Sequence, residues 1–367
     1  MPTGCDTMDA EERLDLICRK PTEEVVTRED LKTLLETKEH PVAYQGFEPS
    51  GLAHLGTGVT AAVKAKDLLE AGCRFKFFLA EWHAWINNKM GGDLDVIRRV
   101  GEYFQKVWLS LGVPESAEFV WSSEFVNDSE YWGRIIKVLK ESTVARITRC
   151  LTIMGRKEAE LQEAAQYMYP AMQVSDIYQM ELDIACAGMD QRKAHMLARD
   201  VGPKLGLHKP VAVHYHLMAG LQGPVKMGGF DEDTQIDQEI SSKMAKSRPE
   251  TCIYAHDSEK EIAEKIQKAY CPAGEPEGNP ITEIVDQLLF RGQQKEFTIQ
   301  RPAKFGGDIT YWSYEELEKD FREKQLHPQD LKNKVVQELN ALIAPCREYF
   351  KDHPEYLEVF SEQDVTR

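Results

Sequence analysis

Val42-Ala43-Tyr44-Gln45-Gly46-Phe47 runs directly into Glu48-Pro49-Ser50-Gly51-Leu52-Ala53-His54-Leu55-Gly56-Thr57-Gly58, and an apolar helical run, Val59 to Ala71, follows. A strand-like hexapeptide, a glycine-rich turn and a helix, in that order, predict the opening unit of a parallel α/β sheet. Such sheets bind ligands at the carboxyl end of a strand and the start of the next helix. Glycines in the turn let a ligand approach the backbone with no Cβ in the way. The chain contains no G-x-x-x-x-G-K-[ST], so the Walker mode of holding phosphate is absent. One imidazole, His54, stands at the predicted helix start instead. There it can donate hydrogen bonds to phosphate oxygens whose charge rises in a displacement at phosphorus. A glycine-rich turn carrying a surface histidine is the other reading of this stretch taken alone.

Outward from this stretch the alternation continues. Arg74–Ala80 (RFKFFLA), Glu118–Ser122, Leu182–Ala187 and Val211–Leu217 read as further strands, and a long helix is predicted across Asp93–Leu111. Strands alternating with helices of ten or more residues predict a doubly wound parallel sheet. Residues 1–40 read as an acidic helical segment, with Asp9–Cys18 followed by a second helix capped near Thr27. After about Ser258 strand signals fade. Capping boxes at Ser258–Glu261 and Ser313–Glu316 open amphipathic helices, the last running from Leu331 towards Tyr349. The expected organisation is therefore a helical segment (1–40), an α/β domain (41–257) and a mainly helical domain (258–367). The loop Gln222–Ser242, with four glycine or proline residues, is long enough to be expected functional or mobile.

A chain of 367 residues suits two domains, or a large one with a smaller companion. Its net charge of −16 excludes a protein that coats nucleic acid through bulk charge, though not one that uses a local basic strip. The eight cysteines are scattered singly with no C-x-x-C pair, which predicts reduced thiols in a cytosolic protein and neither disulfide framework nor zinc site. No uncharged run approaches the roughly 18 apolar residues of a membrane helix, and MPTGCDTMDAEERLDLICRK lacks an apolar signal core. A cytoplasmic protein without a membrane partner is expected, and the sequon Asn127-Asp128-Ser129 reads as incidental.

Three further patterns bear on chemistry. Ser242-Lys243-Met244-Ala245-Lys246-Ser247 places two ammonium groups three residues apart beside hydroxyls, a clamp suited to a leaving pyrophosphate. Lys89-Met90 and Lys226-Met227 show that fragments of this pattern occur without it. Tyr169, Gln173 and Asp176 fall at i, i+4 and i+7, a polar stripe among apolar neighbours that reads as ligand-facing or solvated. Arg134, Lys137, Lys140, Arg146, Arg149, Arg156 and Lys157, with Glu141 the only acid between 134 and 157, form a basic strip suited to phosphate contacts or to a solvated helix face.

H-L-G-T after the first strand and K-M-A-K-S after the last resemble the two signatures of class I aminoacyl-tRNA synthetases, His-Ile-Gly-His and Lys-Met-Ser-Lys-Ser. Within that class A-Y-Q-G-F-E-P-S-G-x-x-H-L-G, Y-P-A-M-Q-V-S-D-I-Y, G-M-D-Q-R-K-x-H-M-L-A-R, A-Y-C-P-A-G-x-x-E-G-N-P, R-P-A-K-F-G-G-D-x-T and H-P-Q-D-L-K-N resemble the archaeal and eukaryotic tyrosyl-tRNA synthetases, over about residues 28 to 350. The resemblance implies a Rossmann-like catalytic domain followed by a helical anticodon-binding domain. It implies activation of L-tyrosine by ATP to tyrosyl-adenylate and pyrophosphate, then transfer to the 3′ end of tRNA(Tyr). It also implies a homodimer, and Mg2+ accompanying ATP without a protein-bound metal.

Residue by residue, the resemblance assigns His54, Lys243 and Lys246 to catalysis. Tyr44, Tyr169, Gln173, Asp176 and Gln191 surround tyrosine, with Tyr169 and Gln173 at the α-amino group and Tyr44 and Asp176 at the phenolic hydroxyl. Gly46, Glu48, His54, Gly56, Asp190, Lys243 and Lys246 go to ATP, Asp190 near the ribose. Arg146, Arg149, Arg192 and Lys193 go to tRNA, with Phe305, His327 and Asp330 at the anticodon. The sequence departs from the family at Thr57 (usually histidine), Ala245 (usually serine), Glu81-Trp82 in A-E-W-H-A and Val126, and at 224–240, which reads as an insert. A tryptophanyl enzyme and a non-catalytic RNA-binding paralogue are the rival readings. Asp176 and Tyr44 speak against the first, and Thr57 and Ala245 for the second.

Overall fold

The computed structural model describes residues 8–361 apart from 157, 162 and 247 and the side chain of 158, so Lys157 and Ser247 lie outside the described residues. Six strands form one sheet: β1 (Thr22–Val26), β2 (Val42–Phe47), β3 (Arg74–Leu79), β4 (Glu118–Trp121), β5 (Ile184–Gly188) and β6 (Val211–Tyr215), in the order β1-β6-β5-β2-β3-β4. Strands β2 to β6 are parallel, and β1 is added antiparallel against β6. From β2 the chain winds outward through β3 and β4, and β5 and β6 continue on its other side. The reversal between β2 and β5 is the switch point at which α/β sheets open a crevice for ligands.

The sheet follows from period-two burial. On one face Ala43, Phe75, Phe77, Leu79, Ile184, Cys186, Val211 and Val213 join one apolar cluster; on the other, Val42, Tyr44, Phe78 and Ala185 join a second. Trp108, from the helix Leu94–Ser110, stacks on Phe77 with ring centroids 4.1 Å apart. The first cluster runs on without a break into the C-terminal helices. Leu331, Val335, Leu339, Ile343, Cys346 and Phe350 form the buried stripe of the 25-residue helix Pro328–Asp352. The second cluster packs the helices Ser129–Lys140, Val144–Cys150, Tyr169–Gln179 and Arg192–Val201 beneath the crevice.

The structure corrects the sequence reading in three places. Residues 1–40 are not wholly helical, since β1 lies between the helices Ala10–Cys18 and Arg28–Thr37. Thr-Glu-Glu-Val-Val is too short and too acidic to declare itself, and only pairing with β6 makes it a strand. In the C-terminal part a two-stranded hairpin, β7 (Phe297–Ile299) and β8 (Ile309–Tyr311), interrupts the helices. In the long loop, Thr234–Ser242 is a helix whose N-terminus is capped by the Asp233 carboxylate accepting from Gln235 and Ile236 N–H.

Candidate active site

A pocket opens at the switch point. It is lined by Tyr44, Gly46, Phe47 and Glu48 from β2 and its end, Phe78 and Ala80 from β3, His83 from the helix Glu81–Ile86, Tyr169, Gln173 and Asp176 from the helix Tyr169–Gln179, and Gln191. All five side chains assigned from sequence to the amino acid meet here. The polar stripe therefore faces this pocket and not bulk solvent. At Gly46 a Cβ would lie 3.3 Å from the Tyr44 ring, so glycine keeps the pocket floor clear.

At the closed end, Asp176 is buried and accepts from the Tyr131 hydroxyl at 2.8 Å through Oδ1. Its Oδ2 lies 3.1 Å from His83 Nε2, and neither atom has an aligned hydrogen-bond partner. Burial, and then the Asp176 charge, push the Tyr44 phenol well above its ordinary range, so it stays protonated. At the open end Tyr169 donates to Glu48 Oε1 at 2.7 Å. Glu48 is held in turn by Asn87 Nδ2 at 2.9 and 3.1 Å. Gln173 Nε2 donates to Gln191 Oε1 at 3.2 Å, while Gln173 Oε1 is buried with no partner. Buried acceptors without donors are costly unless something fills them. Here they line a cavity with a carboxylate at each end.

The glycine-rich turn folds as a single π-helical turn, Leu55–Thr60, ahead of the helix Ala61–Glu70. His54 caps it, with Nδ1 accepting from Gly56 N–H at 3.1 Å. Burial, then Lys246 and Lys243, bring its pKa down to about 3, so the ring is neutral and carries its proton on Nε2, a ready donor. Thr57 is the reciprocal cap: its hydroxyl accepts from His54 N–H at 3.2 Å. Lys246 Nζ lies 3.3 Å from Ser50 Oγ and 5.2 Å from the centre of the Phe104 ring. Gly51 has φ +66° and would place a Cβ 3.1 Å from Lys246 Cδ, so a side chain there would crowd the lysine. Lys243 donates to Asp190 Oδ2 at 2.6 Å. Two lysines and a neutral imidazole donor thus gather beyond the carboxyl end of β2.

The profile of a family described as tRNA synthetases class I (W and Y) matches residues 36–239 and 234–344. The chain belongs to the class I tRNA synthetases (W and Y). A tyrosine–tRNA ligase of Thermococcus sibiricus is 47% identical over 375 residues, covering 98% of this chain and all of that one. One from Aeropyrum pernix is 48% identical over 93% of each. Among solved structures, the tyrosyl-tRNA synthetase of Pyrococcus horikoshii complexed with L-tyrosine superposes with a TM-score of 0.90 at 45% identity, over 97% of this chain and 100% of that one. That of Aeropyrum pernix gives 0.84 at 43%, over 98% and 100%.

The residues assigned to RNA in this synthetase lie on other elements and do not line the pocket. Arg146 pairs with Asp200 at 2.8 Å, Arg134 donates to Gln179 Oε1 at 2.8 Å and Arg156 to Asn87 Oδ1 at 2.6 Å. Lys137, Lys140 and Arg149 are exposed. The strip is therefore a mixture of structural and solvent-facing cations. Arg192 is held by Glu24 at 2.8 Å, and Lys193 by the Phe230 carbonyl at 2.7 Å and Asp231 at 3.2 Å. Phe305 is 60% exposed in the β7–β8 connection, with Lys304 over its ring. His327 caps the helix Pro328–Asp352 through Gln329 N–H, with Asp330 in its first turn.

Two residues that meet the Asp176 carboxylate went unread in the sequence. His83 sat inside A-E-W-H-A, a signal legible only as part of that pattern. Tyr131 carried no motif at all. Glu81, the departure in that same pattern, is fully buried and accepts from Ser122 N–H, Ser122 Oγ and Ser123 N–H at 2.9, 2.6 and 2.7 Å, tying its helix to the end of β4. Val126 packs in the second apolar cluster and is not part of the lining.

Proposed function

We infer that this synthetase is a tyrosine–tRNA ligase that forms tyrosyl-adenylate from tyrosine and ATP and passes the tyrosyl group to the 3′ end of tRNA(Tyr). The observation that carries this is Asp176, a buried carboxylate at the closed end of an aromatic pocket with one oxygen lacking a donor. A phenol O–H reaching that end gives Asp176 Oδ2 the hydrogen bond it lacks, with Tyr44 beside it. The α-ammonium meets Gln173 Oε1 and the Tyr169 oxygen, with the Glu48 charge behind. The substrate carboxylate then points at the mouth, where ATP lies. It attacks the α-phosphorus; the bond to pyrophosphate breaks, and charge on the leaving group is met by His54 Nε2–H, Lys243 and Lys246. No protein nucleophile is required, and catalysis is positioning plus charge stabilisation.

For Lys243 to reach phosphate its pair with Asp190 must part, which frees Asp190 for the ribose. Mg2+ would accompany ATP and supply positive charge at its phosphates, with Glu48 engaged by Asn87 and Tyr169 and Asp190 turned to the ribose. Lys137, Lys140 and Arg149 give the RNA backbone its cations, with Arg146, Arg192 and Lys193 recruited from their internal partners. Phe305, His327 and Asp330 face the anticodon, where an aromatic ring and a carboxylate suit splayed bases. The working form is a homodimer in the cytoplasm; no helix among the described residues is long and apolar enough to cross a membrane. Exchange of pyrophosphate into ATP tests the reading. It should depend on tyrosine, and dependence on tryptophan or absence of exchange would overturn it.

A further inference from the structure

His216 follows the carboxyl end of β6 and sits among three carboxylates from separate parts of the chain. Its Nδ1 is 3.3 Å from Glu23 Oε2 and 3.3 Å from Glu239 Oε1, and its Nε2 is 3.3 Å from Glu283 Oε1. The ligand atoms of Glu23, His216 and Glu239 all lie within 4.8 Å of one another. Ligands at about 2.0–2.1 Å from a tetrahedral zinc ion stand roughly 3.3–3.4 Å apart. Both nitrogen–oxygen separations match that edge.

Glu283, on the opposite ring nitrogen, occupies the place of the outer carboxylate that orients a metal-bound imidazole. That nitrogen is shut from solvent and has no aligned hydrogen-bond partner. The oxygens are preset: Leu217 N–H donates to Glu239 Oε1 and Ala219 N–H to Glu283 Oε1, both at 2.6 Å. Charge argues the same way. Among the described residues no lysine or arginine pairs with any of the three carboxylates, and one imidazole can balance at most one of them. Glu23 is exposed, so the ligand side is open to solvent, and a groove of about 260 Å³ walled by His216 and Glu283 lies on the other side of the imidazole.

We propose that Glu23, His216 and Glu239 form a binding site for a divalent cation of the zinc class, with Glu283 fixing the imidazole from behind. One nitrogen with two carboxylate oxygens suits zinc or cobalt, and no spacing motif announces it because the ligands are gathered by the fold. The site is separate from the substrate pocket but mechanically joined to it. Glu239 lies on the helix Thr234–Ser242, and the next residue is Lys243. An ion here pins the base of the lysine loop to the sheet edge.

Full-length protein stripped with a chelator and titrated with Co2+ should show visible d–d bands that saturate at one equivalent per chain and are displaced by Zn2+. Glu23→Gln, His216→Gln and Glu239→Gln should each abolish the saturable bands. Glu283→Gln should weaken affinity by about 10- to 100-fold. Glu277→Gln, in the same groove but paired with Arg322, should leave it unchanged. Circular dichroism of the metal-free variants checks the fold, and Glu23→Gln, at an exposed position, carries the test if His216→Gln unfolds. No saturable binding, or binding that survives all three ligand changes, would overturn the proposal and leave an imidazolium ringed by carboxylates.

Discussion

Asp176 and Lys246 show how burial sets the chemistry of single residues here. Asp176 has one buried oxygen without a donor; on the proposed function tyrosine's hydroxyl supplies it, phenylalanine would leave it unpaired, and an apolar pocket alone could not make that distinction. Asp176→Ala should lower kcat/KM for tyrosine by about 100-fold, on the order of 3 kcal/mol for a charged hydrogen bond and its stranded partner. Phenylalanine should barely change, and pyrophosphate exchange with each amino acid reads the ratio. Lys246 is shielded, and burial first, then Lys89, lowers its pKa to about 7. Above that pH the free enzyme holds a largely neutral amine; ATP phosphates restore the charge and raise the pKa. Nucleotide binding at pH 8 should therefore take up close to one proton, and at pH 6 almost none. Calorimetry in two buffers of different ionisation enthalpy measures this, and Lys246→Arg, always charged, should abolish the uptake.

At the scale of elements, the β2 turn and the basic helices carry separate jobs. The π-helical turn sets His54 through the Gly56 N–H, and a Cβ at Gly56 would lie 3.1 Å from His54 Cε1. Gly56→Ala should tilt the imidazole and slow adenylation on the order of tenfold, the scale of mild overpacking. Tyrosine binding, measured separately by calorimetry, should hold. Thr57, where the family usually has histidine, closes this turn with its hydroxyl accepting from His54 N–H. Lys137, Lys140 and Arg149 project from the helices Ser129–Lys140 and Val144–Cys150 without internal ion pairs among the described residues. Changing each to glutamine should weaken tRNA binding and reduce the slope of log affinity against log salt by about one per residue, with pyrophosphate exchange unaffected. Arg134 and Arg156, committed to Gln179 and Asn87, should instead cost stability when changed.

Across the whole molecule, the first apolar cluster joins the sheet to the C-terminal helices: Phe350 packs on Tyr103 with ring centroids 5.2 Å apart. Phe350→Ala should cost about 3–5 kcal/mol in a single cooperative transition that also carries away adenylation activity. Two separate transitions in calorimetry would contradict this. The doubly wound sheet, the polar stripe that lines the pocket and the glycine-rich turn between β2 and its helix were legible in the sequence, because each rests on local order: a strand, a turn and its helix, or one helix face. The amino acids alone determined that Tyr169, Gln173 and Asp176 would share a side, since helical spacing fixes it. They did not determine β1, whose five residues become a strand only by pairing with β6. Nor did they place His83 and Tyr131 on either side of Asp176, engage half the basic strip with internal partners, or gather Glu23, His216, Glu239 and Glu283. Those groups stand far apart along the chain, and proximity between distant segments is created by the packing of the sheet, which no local pattern encodes.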